Sequence, residues 1–440
     1  MEARETLDRT LLISRILLGE GAHVDAAVLH QLTSTAVGLV ANEDNLRSVA
    51  GQTALVTMSG LVLAHGMSVV LSIPEVEVIG AQPPLQGRSL RRGLMNLAAE
   101  AIPGCRVVGP DSGLDPDLIF VLGDSPQPRT TVPTWRLTGD DWRGGTVPPT
   151  EHGQLWSGAL PFGACVSAAI ASMEPYKYAL ANAARTLDIR PQVPELLAPT
   201  ARAAHSFGDG LPKSIDLDLG DVDFISAGAI NTSALHVLHR VPKLRASGRI
   251  FDGEKLDASN LNRYPLALRR NVGQRKVDVL TQWNSNSIRF QGIHSRYGEA
   301  NIGRFAALAN NVVVGTDDVK ARWLVQGQWP RWLGVGATAD FMTLTSEHVP
   351  GQPCAGCLHP VDDDVDLTIP TLSTVSYWAG LLVAVRLLRH ALGVPYPPNM
   401  QALTLWPLRM DYPTSVLWQP VHRHASCPVE TTASGRIERK

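Results

Sequence analysis

The sequence predicts an α/β protein made of two successive units, each built on a mostly parallel sheet, and three observations carry that expectation. Helix-like and strand-like hydrophobic patterns alternate along most of the 440 residues, as they do where crossover helices join parallel strands. The chain also contains an internal repeat, faint but consistent in order. Each copy places a glycine between a small-residue turn and a helix, then a second strand-like run that ends near an acidic residue.

The first copy reads Ala50-Gly51, the helical QTALVTMSGLVLAH, then VVLSIPEVEV; the second reads Ala227-Gly228, NTSALHVLHRV, then GRIFDGEKLD. Gly51 precedes Glu75 by the same distance as Gly228 precedes Asp252, and Glu77 then matches Glu254. Further on, DLIFVLGD (Asp117–Asp124) resembles NVVVGTDD (Asn311–Asp318). Each copy then reaches a small-residue-rich helix after a proline, PFGACVSAAIASMEPYKYAL and IPTLSTVSYWAGLLVAVRLL. Pro- and Gly-rich breaks fall at Gln82–Gly87, Gly144–Thr150 and Arg190–Thr200, and the last divides the chain into residues 1–195 and 196–440.

Composition narrows the function classes. With 39 basic and 41 acidic residues the net charge is −2, so no global field attracts nucleic acid or an anionic membrane, and neither is expected as a partner. No apolar run is long enough for a spanning helix. The opening MEARETLDRTLLISRILL mixes acidic with basic residues around an interrupted apolar stretch, and reads as a first helix instead of a signal peptide. Five cysteines, an odd number in a long chain, argue against a disulfide framework and for a cytoplasmic setting.

A strand, a glycine turn and a helix N-terminus form an anion site, and an acidic residue on the next strand end reaches a ribose or a metal. Those features alone give the second half a nucleotide without separating NAD from ATP. The sharper constellation is Phe251-Asp252-Gly253-Glu254, then Ser259-Asn260-Leu261-Asn262-Arg263, then Gly273 and Lys276. VVVGTDDVKAR follows, with Asp317 and Arg322, and then PCAGCLHP with Cys354 and Cys357. Taken singly, an Asp after a strand is usually a cap and a lone Arg or Lys a solvated surface residue. In this order and spacing they resemble the ThiF-type adenylyltransferases and the ubiquitin-activating enzymes, well from Asp221 to Glu430 and only as a diverged repeat before that.

That resemblance implies two Rossmann-like nucleotide-binding units, an inactive N-terminal repeat packed on an active C-terminal one as a pseudo-dimer. It implies ATP and Mg²⁺ as cofactors and the joining of a carboxylate to AMP with loss of pyrophosphate. Gly228 would belong to the phosphate loop, and Asp252 would accept hydrogen bonds from the ribose. Asn260, Arg263 and Lys276 would hold the triphosphate, Asp317 the Mg²⁺, and Glu254 would orient the loop. Arg263, Lys276 and Asp317 would be the catalytic set. The partner copy often lends an arginine to this site in the family, and Arg9 or Arg15 would supply it here.

Two departures from the family pattern stand out. The glycine loop reads Ser226-Ala227-Gly228-Ala229-Ile230-Asn231 and keeps only its middle glycine, so side chains at Ser226 and Asn231 crowd the phosphate approach. The first half has neither SNLNR nor Gly-x-x-Lys after Glu77, where AQPPLQGRSLRR stands.

The Cys354-x-x-Cys357 pair has metal-ligand spacing. In the family a second pair near the C-terminus completes a structural zinc site. Here Cys427 matches its first member and Glu430 its second, so the zinc set is Cys354, Cys357, Cys427 and a fourth ligand, His424 first, with His422, Glu430 or His359 as alternatives. Ser373 stands where several ubiquitin-activating enzymes have their acceptor cysteine, and otherwise reads as a helix N-cap. The implied substrate is a ubiquitin-like or sulfur-carrier protein with a free C-terminal glycine, in concert with a conjugating enzyme. The implied setting is a bacterial ubiquitin-like conjugation system of the antiviral-defence kind. The rival readings are a peptide-modifying adenylyltransferase of the same fold and a non-catalytic scaffold.

Overall fold

The computed structural model describes residues 3–362, 370–397 and 399–429. The first half opens with α1 (Ala3–Thr6), α2 (Asp8–Leu18) and α3 (Ala22–Ser34). Then come β1 (Ala36–Val40), α4 (Glu43–Leu46), α5 (Val49–Ala64), β2 (Ser68–Ser72), α6 (Leu90–Ala99), β3 (Val107–Val108), β4 (Leu118–Leu122), β5 (Thr134–Gly139), β6 (Arg143–Val147), α7 (Phe162–Leu187) and β7 (Ala203–Ser206). The second half runs β8 (Leu217–Ile225), α8 (Ala229–Leu238), β9 (Leu244–Phe251), α9 (Lys276–Thr281), β10 (Ile288–Ile293), β11 (Asn311–Val314), α10 (Val319–Gln326), β12 (Trp332–Ala339), β13 (Met342–His348), α11 (Ala355–Leu358), α12 (Ser373–Ala391), β14 (Ala402–Leu405) and β15 (Val416–Gln419).

The two sheets share one plan. The first is ordered β3-β2-β1-β4-β5-β6-β7 and the second β10-β9-β8-β11-β12-β13-β14-β15. In each, the first five strands are parallel and the rest antiparallel. The central strands read LIFVL and NVVV because helices cover both faces of a parallel sheet and leave no solvated side. The strand order reverses between β1 and β4 and again between β8 and β11, which opens a crevice at the carboxyl ends of those strands. Two Rossmann-like units, as the sequence predicts, are therefore present.

The units pack as a pseudo-dimer through α5 and α7 of the first half and α8 and α12 of the second. Leu372, just before α12, and Val375 of α12 enter the first core, and Phe162 and Val166 of α7 enter the second. Buried polar contacts cross the junction: Ser172 and Thr374 share a hydroxyl hydrogen bond at 2.8 Å, and the Arg240 guanidinium donates to Gln82 Oε1 at 3.0 Å and to the Pro83 carbonyl.

The boundary at residue 195 needs correction, because β7 still belongs to the first sheet. The Pro-rich break is a connector held against α7. Buried Glu174 and Lys177 pair at 2.6 Å, Lys177 donates to Thr200 Oγ1, and the Thr200 N–H donates back to Glu174. One more strand then returns to the first sheet before the chain leaves it.

The repeat is real but its residue pairing shifts. Gly228 is the N-cap of α8, whereas Gly51 is the third residue of α5, where a β-carbon would strike the Asn45 carbonyl. The register Val40↔Ser72 and Ile225↔Phe251 puts Ile73, not Glu75, where Asp252 stands. Val121 and Val314 pair alike with Val40 and Ile225, so Asp124 corresponds to Asp317. The Leu90 N–H bonds the Val76 carbonyl as the Lys276 N–H bonds that of Glu254, so Leu90 replaces Lys276 and Val76 replaces Glu254.

Candidate functional site

The site is assembled where β8, β9 and β11 end side by side, at Ile225, Phe251 and Val314. After β8 the chain turns through Ser226, Ala227 and Gly228 into α8, whose first N–H groups face the crevice. Ser226 has a φ of +82°, a left-handed value that costs a residue with a β-carbon about 1–2 kcal/mol. Its hydroxyl accepts the Gly228 N–H at 2.9 Å, so the loop consumes a donor of its own. Asn231 closes the loop from below, donating to the Ile225 and Ser226 carbonyls at 2.9 and 2.7 Å, while its own Oδ1 is buried without a partner among the described residues.

Asp252, buried at the end of β9, fixes the turn by accepting the Ala227 N–H and the Glu254 N–H, both at 2.8 Å. Glu254 is largely exposed and pairs with Lys276 at 2.5 Å. Lys276 is the first residue of α9 and is buried around its charge. Burial acts to lower its pKa, but Tyr264, Glu254 and Asp252 outweigh burial and raise it, so the ammonium stays charged. Lys276 also pulls Glu254 below the usual carboxylate range.

SNLNR forms a short 3₁₀ turn. Asp257 caps it, and Asn260 Oδ1 accepts the Asp257 N–H at 3.0 Å. Arg263 folds back on the Ser259 carbonyl and on Asn262 Oδ1, the latter at 2.8 Å, and burial lowers its pKa. Both cations lie near the Tyr264 ring, Lys276 Nζ 5.5 Å and Arg263 Cζ 5.8 Å from its centre.

Asp317 is exposed beyond β11; the Thr316 hydroxyl approaches it at 3.5 Å. Its neighbour Asp318 is used differently, capping α10 and pairing with Arg296 at 2.8 Å. Buried Arg322 holds the Thr316 carbonyl at 2.7 Å and so sets the loop that presents Asp317. The structure thus gathers Gly228, Asp252, Glu254, Asn260, Arg263, Lys276 and Asp317 around one crevice. One buried and one half-buried cation, a helix N-terminus and one open carboxylate suit a polyanion with a divalent cation.

The first half reaches this crevice as well, which no motif announced. Asn262 donates to Thr10 Oγ1 of α2 at 3.2 Å, and Asp8 and Arg9 lie close enough to Arg263 to act on its charge. Arg15 points elsewhere, making a bidentate pair with Asp25 at 2.9 and 2.7 Å. Of the two arginines, Arg9 is the one beside the site.

Three thiols meet away from the crevice. Cys354 Sγ lies 3.7 Å from Cys357 and 3.4 Å from Cys427, all buried, in a cluster compact enough for one metal ion. Gly356 permits the approach, since a β-carbon there would stand 3.1 Å from Cys427 Sγ. His424 is exposed, accepts the Ser426 N–H and stays outside the cluster, as do His422 and His359 among the described residues. After β15 the chain leaves His422 and His424 exposed, whereas His359, at the end of α11, is half-buried; Glu430 lies outside the described residues. Ser373 is not the cap of α12 but its first residue, after Leu372; it is buried at the junction of the halves, its hydroxyl without a partner among the described residues.

Among the described residues no helix is long and apolar enough to cross a membrane. Residues 248–429 match the ThiF family, and residues 36–189 match the BilD N-terminal domain. A curated relative, the uncharacterized protein y4jF of Sinorhizobium fredii (strain NBRC 101917 / NGR234), is 24% identical over 245 residues, 55% of this chain. The chain spans about half of that relative, 47% of its length. Crystal structures of E. coli MccB align over 48% of this chain and 66% of their own. The one with succinimide has a TM-score of 0.40 at 15% identity, and the one with ATP 0.40 at 14%. The C-terminal half of this chain thus matches the ThiF family, behind an N-terminal half that matches the BilD N-terminal domain.

Proposed function

We propose that the second half adenylates the C-terminal carboxylate of a ubiquitin-like or sulfur-carrier protein, using ATP. The observation that carries this reading is the Asp252, Asn260, Arg263, Lys276 and Asp317 constellation at the end of β8, β9 and β11, of which the first half keeps only the counterpart of Asp317. A carboxylate oxygen attacks the α-phosphorus, the bond to the bridging oxygen breaks, and pyrophosphate leaves with the electron pair. Both reactants are anions, so the barrier falls when fixed positive charge faces the developing charge. Lys276 and Arg263 are the second half's cations at that point, and Arg9 adds a third from the first half. Asp252 accepts from the ribose hydroxyls with the lone pairs its two backbone donors leave. Mg²⁺, when bound at Asp317, supplies further screening of the triphosphate; the exposed, weakly engaged carboxylate suits it. The three buried thiols suit a structural Zn²⁺. Burial of Ser373 favours release or direct transfer of the adenylate over a thioester at that position.

ATP–pyrophosphate exchange with small proteins encoded beside this chain tests the reading. Exchange that needs a partner's free C-terminal glycine supports it. Exchange with a short peptide alone moves the substrate to a peptide precursor. ATP binding with no exchange for any partner makes the second half a scaffold, a reading that the self-bonded Ser226 loop favours.

A further inference from the structure

The loop at the start of α8 has lost two glycines and, with them, part of its capacity to receive phosphate. The Gly228 N–H, which would point at an anion, donates to Ser226 Oγ instead. A donor nevertheless stands over the same spot. A β-carbon built on Gly228 would lie 3.8 Å from the Tyr264 hydroxyl. Tyr264 is only 8% exposed, and among the described residues its hydroxyl makes no hydrogen bond. The ring is buried, but the hydroxyl oxygen is not sealed off with it, so its O–H is free to donate to a ligand. Its ring is fixed by Leu256, Leu261 and Val279, with Ala229 of α8 packed against the same cluster. The oxygen therefore cannot swing away to seek a partner elsewhere. Lys276 and Arg263, the two cations of the constellation, both lie within 6 Å of the ring centre, at 5.5 and 5.8 Å.

We propose that Tyr264 is a phosphate-contacting residue whose hydroxyl donates to a nucleotide phosphate oxygen and replaces the loop N–H that Ser226 consumes. This rests on the nucleotide reading above and adds a residue to it. The replacement explains how a site with one glycine of three retains its anion affinity. The donor moves from the backbone to a side chain held by the SNLNR segment, one residue beyond Arg263. It follows that Ser226 and Tyr264 are coupled: freeing the Gly228 N–H reduces the need for the phenol.

The test is binding of a non-hydrolysable ATP analogue and, separately, of adenosine, to the full chain, to Tyr264→Phe, to Ser226→Gly and to the double variant. Phenylalanine keeps the ring, its packing and its cation contacts, and removes one oxygen that the fold does not use. The expected result is an analogue affinity about tenfold weaker in Tyr264→Phe, as for loss of one hydrogen bond to a charged group, with adenosine affinity and melting temperature unchanged. The double variant should recover most of that loss, whereas Ser226→Gly alone should change affinity less than threefold. Equal analogue binding by the unaltered chain and Tyr264→Phe overturns the proposal and leaves the nucleotide reading standing. Parallel loss of adenosine binding overturns it too, because that marks a structural role. No analogue binding by the unaltered chain removes the nucleotide reading itself, and this inference with it.

Discussion

The two halves of the molecule set the same strand order around the same crevice and fill it with different chemistry. Where β9 ends in Asp252, β2 is followed by Ile73. Where the second half pairs Glu254 with Lys276, the first has Val76 and buried Leu90. Asp124 keeps the position of Asp317 and is likewise exposed, but it is engaged, accepting from the Asn45 amide at 2.7 Å. The SNLNR turn has no counterpart, because the chain goes directly from the bridge at Glu77 to Ser89, matching Lys255 to Arg275 with a shorter loop. A Rossmann-like unit evidently tolerates wholesale loss of its polar strand ends, since its core lies between sheet and helices and not in the crevice. What the first half retains is packing surface and a helix, α2, that delivers Arg9 to its neighbour.

That contrast can be broken most severely by importing the first half's residue into the second. Lys276→Leu should lower ATP–pyrophosphate exchange roughly 10³-fold while the melting temperature holds, because a preorganised cation is lost from an otherwise intact site. Normal exchange in that variant would remove Lys276 from the catalytic set. Arg9→Ala asks whether the first half takes part in the chemistry, and exchange should drop roughly 10²-fold with little change in ATP affinity. An unaltered rate would leave the first half as packing surface only.

The next effects are on stability. Cys354→Ser should eliminate bound zinc, measured by elemental analysis, and lower the melting temperature by several degrees; zinc-free protein of unaltered stability would show the thiols to be packing alone. Acid should weaken the junction between the halves. Burial lowers the His65 pKa to about 3, while the unfolded chain protonates it near 6.5. Its folded value is depressed, so full stability is present above pH 6.5 and is lost as pH falls toward 3, at about 1.4 kcal/mol per unit. Denaturant unfolding of His65→Asn at pH 6.5 and 4.5 should show a slope smaller by that amount, and an identical slope would mean that His65 is protonated when folded. The smallest effect belongs to Asp124→Asn. Exchange should stay within twofold of normal and stability should fall by about 1 kcal/mol, the net value of a lost hydrogen bond. A large loss of exchange would restore a catalytic role to the first crevice.

The sequence makes some of this legible and hides the rest for a physical reason. Asp252, Asn260, Arg263, Lys276, Asp317 and the Cys354-x-x-Cys357 pair stand in local motifs whose order alone carries the information, and the alternating pattern exposes the two sheets. The pairing of Gly51 with Gly228 and of Glu75 with Asp252 fails because strand register, not sequence distance, decides which residues correspond. α5 also begins earlier than its glycine suggests. His424 is close in sequence to Cys427 yet exposed, since ligand geometry depends on how the turn after β15 aims each side chain. Arg9 and Tyr264 belong to no motif in this chain. Their place beside Arg263 and over Gly228 arises from contacts across the fold, one of them bridging more than half the chain.

Counting bound nucleotide tests the central contrast most directly. Equilibrium dialysis of labelled ATP with Mg²⁺ against the full chain should give one molecule per chain, abolished by Lys276→Leu. Two molecules per chain, or one that survives Lys276→Leu, would contradict the assignment of the site to the second half.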